Sequence, residues 1–167
     1  MEFNWIAHLL SALIPLVIGA IWYSPRVFGN TWMKVSGVTE EQIRNSNMLV
    51  IFGLTYVLGL LASFTVKYLV VHQAHIYSAL MNDPGFGQEG SAAMVYLNDF
   101  MSNYGNEFRT FKHGAFHGLF SGLTFVLPII AIIGLFERRG WAYIGIHAGY
   151  WIVTLTLMGG LICGWPA

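Results

Sequence analysis

Four stretches of this chain stay apolar for long enough to cross a bilayer, and that feature decides most of what it can fold into. A transmembrane helix needs about 20 mostly apolar residues. The runs extend from about Trp5 to Tyr23, Asn47 to Val71, His113 to Phe136 and Trp141 to Cys163. Inside hydrocarbon each backbone N–H and C=O must be satisfied within its own segment, so each run must be helical. The expected fold is an all-α integral membrane protein, a four-helix transmembrane bundle forming a single domain over residues 1–167. Composition agrees, with 56% hydrophobic and 10% charged residues, where soluble domains carry roughly a quarter charged. Among Lys, Arg, Asp and Glu, only Lys67 falls clearly within a run, near an end from which it can snorkel. Trp5, Trp22, Tyr23, Trp141, Tyr143 and Trp165 sit near run ends, as interfacial aromatics do.

The first run has no Lys or Arg before it and no small-x-small cleavage site after it, which predicts a retained anchor. The lipid bilayer is the first expected partner. Net charge is zero at pH 7, which removes the electrostatic case for nucleic acid. A single cysteine, Cys163, excludes an internal disulfide and reads as a packing residue. Arg26, Lys34 and Arg44 in loop one and Arg138 and Arg139 in the turn after the third run share one side, five positive residues against Lys67, Arg109 and Lys112 on the other. The positive-inside rule then places both termini outside the cytoplasm.

Two connections are long enough to fold. In loop one, Pro25 biases Ser24 against continuing the first helix. Phe28, Trp32 and Met33 are suited to rest on the membrane surface. Thr39 and Gln42 have capping-box spacing and predict a helix start, with a helix that can run on into the second span. Ahead of and into loop two, about residues 73–112, "VHQAHIYSAL" (71–80) can extend the second span beyond the bilayer. "NDPGFG" is a turn. After it, Ala93, Leu97, Phe100 and Tyr104 share one helical face, while Asn98, Asp99, Ser102 and Asn103 lie elsewhere. That is an amphipathic helix between spans two and three, resting on the bilayer or capping the bundle.

The polar and small residues of the spans carry whatever chemistry there is. Gly114, Gly118 and Gly122 recur every four residues in the third span, and Gly145 and Gly149 repeat the spacing in the fourth. Small residues at this spacing let helices approach closely where lipid gives no hydrophobic push. The short turn between the two spans makes them antiparallel neighbours, so these stripes predict helix packing, within the chain, in a homo-oligomer or against another membrane protein. Pro15 and Pro128 each remove a backbone donor and predict kinks. His113 and His117, four apart, can face one metal ion. His147, or His72 and His75 at the end of the second span, offer a third imidazole, and Asp99 a carboxylate. No Glu lies between His113 and His117, so the helical zinc-protease base is missing. The same rings serve equally as interhelical hydrogen-bond partners or as a proton path. His8 is isolated and reads as a satisfied polar residue, and Glu137 as a partner of Arg138 or Arg139.

Three functional readings remain open. The first is a non-enzymatic structural or partner-binding membrane protein needing no cofactor. The second is a small channel or transporter with a path near His117, His147 and the Pro128 kink. The third is a membrane metalloprotein using His113 and His117. The segments "GAIWYSPRVFGNTWMK" (19–34), "FKHGAFHG" (111–118) and "LFERRGWAYIGIHAGYWIVTLTLMGGLICGW" (135–165), with the four-span layout, resemble a family of small bacterial inner-membrane proteins known only as a domain of unknown function. The likeness covers nearly the whole chain. Its most specific parts are the "WYSP…FG…W" block and the "FE" ahead of the fourth span, and loop two is longer than in simpler members. The resemblance implies a bacterial inner-membrane location and carries no activity or site residue.

Overall fold

The computed structural model describes residues 4–165, which contain helices and turns and no strand. The first span is two helices, α1 (Trp5–Ser11) and α2 (Ile14–Trp22). Pro15, in the first turn of α2, has no N–H to continue the ladder, and the chain tightens through Leu13 N–H donating to Leu10 O at 3.1 Å. The span is therefore interrupted for two residues, Ala12 and Leu13. In loop one, α3 (Gly29–Ser36) ends at Gly37, whose φ of +75° stops the helix in the left-handed region. The short α4 (Glu40–Arg44) has the full capping box, with Thr39 and Gln42 each satisfying the other's backbone N–H. It does not run into span two, as the sequence allowed: Asn45 and Ser46 close it, and Asn47 caps a new helix by accepting from Val50 N–H at 3.3 Å.

That new helix is α5 (Met48–Val70), the second span. The expected extension through "VHQAHIYSAL" is also corrected. Val71 is extended, at φ −112° and ψ 96°, and a separate helix α6 (Gln73–Leu80) starts after it. The amphipathic helix is α7 (Ala92–Tyr104), capped by Ser91, with Ala93 and Leu97 buried, Phe100 half-buried and Tyr104 exposed. The third span comprises α8 (Phe111–Ser121), a π-helical turn over Gly122–Val126, and α9 (Leu127–Phe136). The wide turn lies just ahead of Pro128 and is closed by Leu127 N–H donating to Gly122 O. A kinking proline next to a π-turn is a recognised cause of a bend in a long helix. The fourth span is α10 (Trp141–Gly164).

Helix α10 is the centre of the bundle: 56% of its most apolar window is buried, against 28%, 17% and 11% for the first, second and third spans. Large apolar residues on the outer spans, such as Leu49, Leu58, Phe125 and Ile132, are exposed, as bilayer-facing side chains should be. The buried core lies toward loop two, where Val66, Val70 and Val71 meet Leu155, Met158, Ile162 and Cys163.

The closest helix pair is α8 against α10, and glycine makes it possible. A Cβ at Gly114 would fall on the Gly159 carbonyl, one at Gly118 on the Leu155 carbonyl, and one at Gly122 within 2.8 Å of Ile152 Cα. On α10 the matching positions are Gly159, against Gly114, and Gly160 and Gly164, against Phe111. Gly145 and Gly149, also read as packing positions, do not face α8. Gly145 has open space where a side chain would be, and Gly149 accommodates the Trp22 indole, whose Nε1 donates to Ile146 O at 3.0 Å. The small residues that matter on α10 lie in its last two turns because antiparallel α8 begins at that end.

Candidate metal centre

The α8–α10 seam fixes which way α8 faces. His113 and His117 adjoin the glycine stripe, so with Gly114 and Gly118 pressed on α10 the two imidazoles turn toward the end of span two. There Val71 ends α5 and the chain changes direction, bringing His72 against them. His72 Nε2 and His113 Nε2 face each other at 2.9 Å. The His113 and His117 ring centroids are 4.5 Å apart, and those of His72 and His117 5.1 Å apart. One ligand nitrogen from each of the three lies within 4.8 Å of the others. His72 is exposed while His113 and His117 are half-buried, so the cluster opens to the surface at the edge of the span.

Imidazole nitrogens bind zinc at about 2.0–2.1 Å, which puts tetrahedral ligand pairs about 3.4 Å apart. The His72–His113 separation of 2.9 Å lies just below that distance, and no ligand pair exceeds 4.8 Å. Three neutral imidazoles also suit the borderline divalent metals by ligand type. Without an ion, only one of two facing Nε2 atoms can donate. Aromatic walls hold the rings in place: Phe108 lies 5.1 Å from His113 and 6.2 Å from His72, and Phe116 lies 5.7 Å from His117, centroid to centroid.

The surrounding loop is tied down on both sides. Phe108 has φ +60°, a left-handed conformation rare for a bulky residue, and it is held between anchors. Gln73, buried next to His72, donates through Nε2 to Tyr104 O at 2.9 Å and Glu107 O at 2.8 Å. Arg109 Nε donates to Cys163 O at 3.0 Å and its Nη2 to Trp165 O at 3.3 Å. Thr110 caps α8 by accepting from His113 N–H at 3.2 Å. None of Gln73, Phe108 or Arg109 has a sequence spacing that marks it, because each acts through a fold the spacing does not encode.

The other sequence candidates stand apart. His75 pairs its Nε2 with Tyr68 O at 2.9 Å, and Asp99 lies exposed on α7, accepting from Asn103. His147 is at the opposite end of the bundle, with Nδ1 3.4 Å from Tyr23 OH and its ring 4.4 Å from Tyr143, centroid to centroid. Its buried Nε2 has no hydrogen-bond partner among the described residues. His8 is buried against Ser63 Oγ at 2.8 Å and stacks on Phe64. Between the two ends, Ser11, Ser63, Thr124 and Thr156 hydroxyls donate to carbonyls of their own helices. Glu137 pairs with Arg139 at 3.5 Å on the far turn. An apolar groove there, bordered by Leu16, Trp32, Phe52 and Tyr150, carries no ionisable cluster.

No curated protein and no solved structure matches the chain. One family model does, over residues 6–163, and its description is "Protein of unknown function (DUF1761)". This protein belongs to that family.

Proposed function

We propose that this protein is a non-enzymatic membrane metalloprotein that holds one divalent transition-metal ion, of the zinc class, on His72, His113 and His117. One observation carries the reading: a change of direction after α5 brings a third imidazole onto the His113–His117 pair. Among the described residues no carboxylate belongs to the cluster, so they supply no general base for metal-assisted hydrolysis there. Binding, sensing or transfer of the ion fits better than turnover. The glycine stripe of α8 is used inside the chain, which weakens it as a motive for self-association. His117 and His147 lie at opposite ends of the bundle, which weakens a histidine-lined path.

The proposed setting is a bacterial inner membrane with both termini in the periplasm. The metal cluster then faces the periplasm, since His72 and His113 flank loop two.

The test is elemental analysis of detergent-purified protein after metal-replete growth. About one zinc-class ion per chain is expected. His117→Ala and His113→Ala should lose it, while His75→Ala and His147→Ala keep it. Bound metal should fall as pH drops from about 7 to 5, because imidazolium has no lone pair to give. Substoichiometric metal in wild type after reloading, or equal loss from His147→Ala, overturns the proposal.

A further inference from the structure

Three protein ligands leave a four-coordinate ion one position short. Among the described residues no other His, Cys, Asp or Glu joins the cluster. Cys163 is buried with its Sγ against Val70 O and Phe108 O, both at 3.3 Å, and His75 is engaged with Tyr68 O. The described residues therefore leave that position open to a ligand from outside the chain. Its charge is set by the ligands. Neutral imidazoles contribute no charge, so a divalent ion keeps both of its own. Lys112 is next in sequence to His113, and Arg109 belongs to the same end of the bundle. Glu107 is the acidic residue of the adjoining segment, and its carboxylate is outside the cluster. A centre of this charge, at the edge of a span and open through the exposed His72, attracts an anion.

We infer that the fourth ligand of this centre is a small external anion, with a phosphate-type oxygen the chemistry nearest at hand at a bilayer edge. The inference rests on the metal reading above. That oxygen has two sources, the phosphodiester of an anionic lipid headgroup or free inorganic phosphate.

Cobalt(II) makes the position visible, because its d–d absorption reports coordination number and ligand type. The full chain is first loaded with Co2+ in a maltoside detergent, which contains no phosphate. Failure to bind about one Co2+ per chain sinks the metal reading itself, and with it the anion, before any anion is added. Loaded protein is then titrated with azide and, separately, inorganic phosphate. Each should shift the visible bands saturably with one anion per cobalt. The azide titration is repeated at the same ionic strength in nanodiscs of phosphatidylglycerol. A loss of azide affinity of about tenfold or more identifies the headgroup as the native occupant. Unchanged affinity identifies free anion. Bands that ignore both azide and phosphate up to about 100 mM, at full cobalt stoichiometry, overturn the inference while leaving the metal reading intact.

Discussion

The α8–α10 seam makes a sharp prediction, since two glycines of similar helical context differ only in what lies over them. In Gly118→Ala the new methyl would fall on the Leu155 carbonyl and within 2.6 Å of its carbon and 2.9 Å of Thr156 Cα. Ordinary contact begins at 3.4 Å, so relief needs the helices to part by at least 3.4 − 2.6 Å, roughly 1 Å. The obstacle is backbone and cannot rotate away. Overpacking costs about 1–3 kcal/mol, and this site belongs in the upper half of that range. At about 2–4 °C per kcal/mol for a chain of this size, the melting temperature should fall by about 4–12 °C. Gly145→Ala is the control, because nothing lies within 4 Å of its added Cβ. Replacing an unencumbered helical glycine by alanine gains about 0.5–1 kcal/mol, so that variant should melt no lower than wild type. The assay is thermal unfolding in detergent, followed by helical circular dichroism and by the monodisperse fraction after heating. Equal melting temperatures for the two variants would refute the claim that backbone contact, and not the mere presence of glycine, organises this seam.

Two further predictions probe loop two. Gln73→Leu removes the donor shared by the Tyr104 and Glu107 carbonyls; each lost hydrogen bond costs about 0.5–1.5 kcal/mol, and hydrogen exchange at residues 104–109 should rise while exchange in α10 stays unchanged. With Cys163→Ser as background, an impermeant maleimide on intact spheroplasts should label Ser91→Cys and spare Arg139→Cys, and the reverse pattern would put the histidine cluster on the cytoplasmic side.

The spans were legible because hydrocarbon thickness imposes a length that apolar runs reveal directly, and all four fall within two residues or so of their expected ends. The capping box at Thr39 was legible for a similar reason, being a local exchange of hydrogen bonds. What escaped were the places where a helix stops without a marker. "VVHQAHIY" contains no glycine or proline, and its apolar pattern continues smoothly, yet the chain turns at Val71. That break separates His72 from His75: one joins the cluster and the other meets Tyr68 O. Without it, no rule of spacing chooses among His72, His75, His147 and Asp99 as companions for the pair. The glycines of α10 were half legible. Gly160 and Gly164 also stand four apart, a signal as strong as that of Gly145 and Gly149. Only the antiparallel register says that the end of α10, not its start, meets the start of α8.

The two features of "FKHGAFHGLFSGL" are therefore one device. In a helix of 3.6 residues per turn, adjacent positions differ by about 100° in direction. A glycine stripe at 114, 118 and 122 pressed on α10 leaves the stripe at 113 and 117 about a quarter turn round, toward α5 and the His72 elbow. Close backbone approach on one face sets the azimuth of the imidazoles on the next. A rotation of α8 by one residue would carry both rings away from His72. Arg109 and Gln73 complete the arrangement from either side, one fixing the entry to α8 on the end of α10, the other fixing loop two on the start of α6. If the three imidazoles hold an ion as proposed, its affinity depends on the packing of glycine on carbonyl as well as on the ligands, because that packing sets where the rings stand.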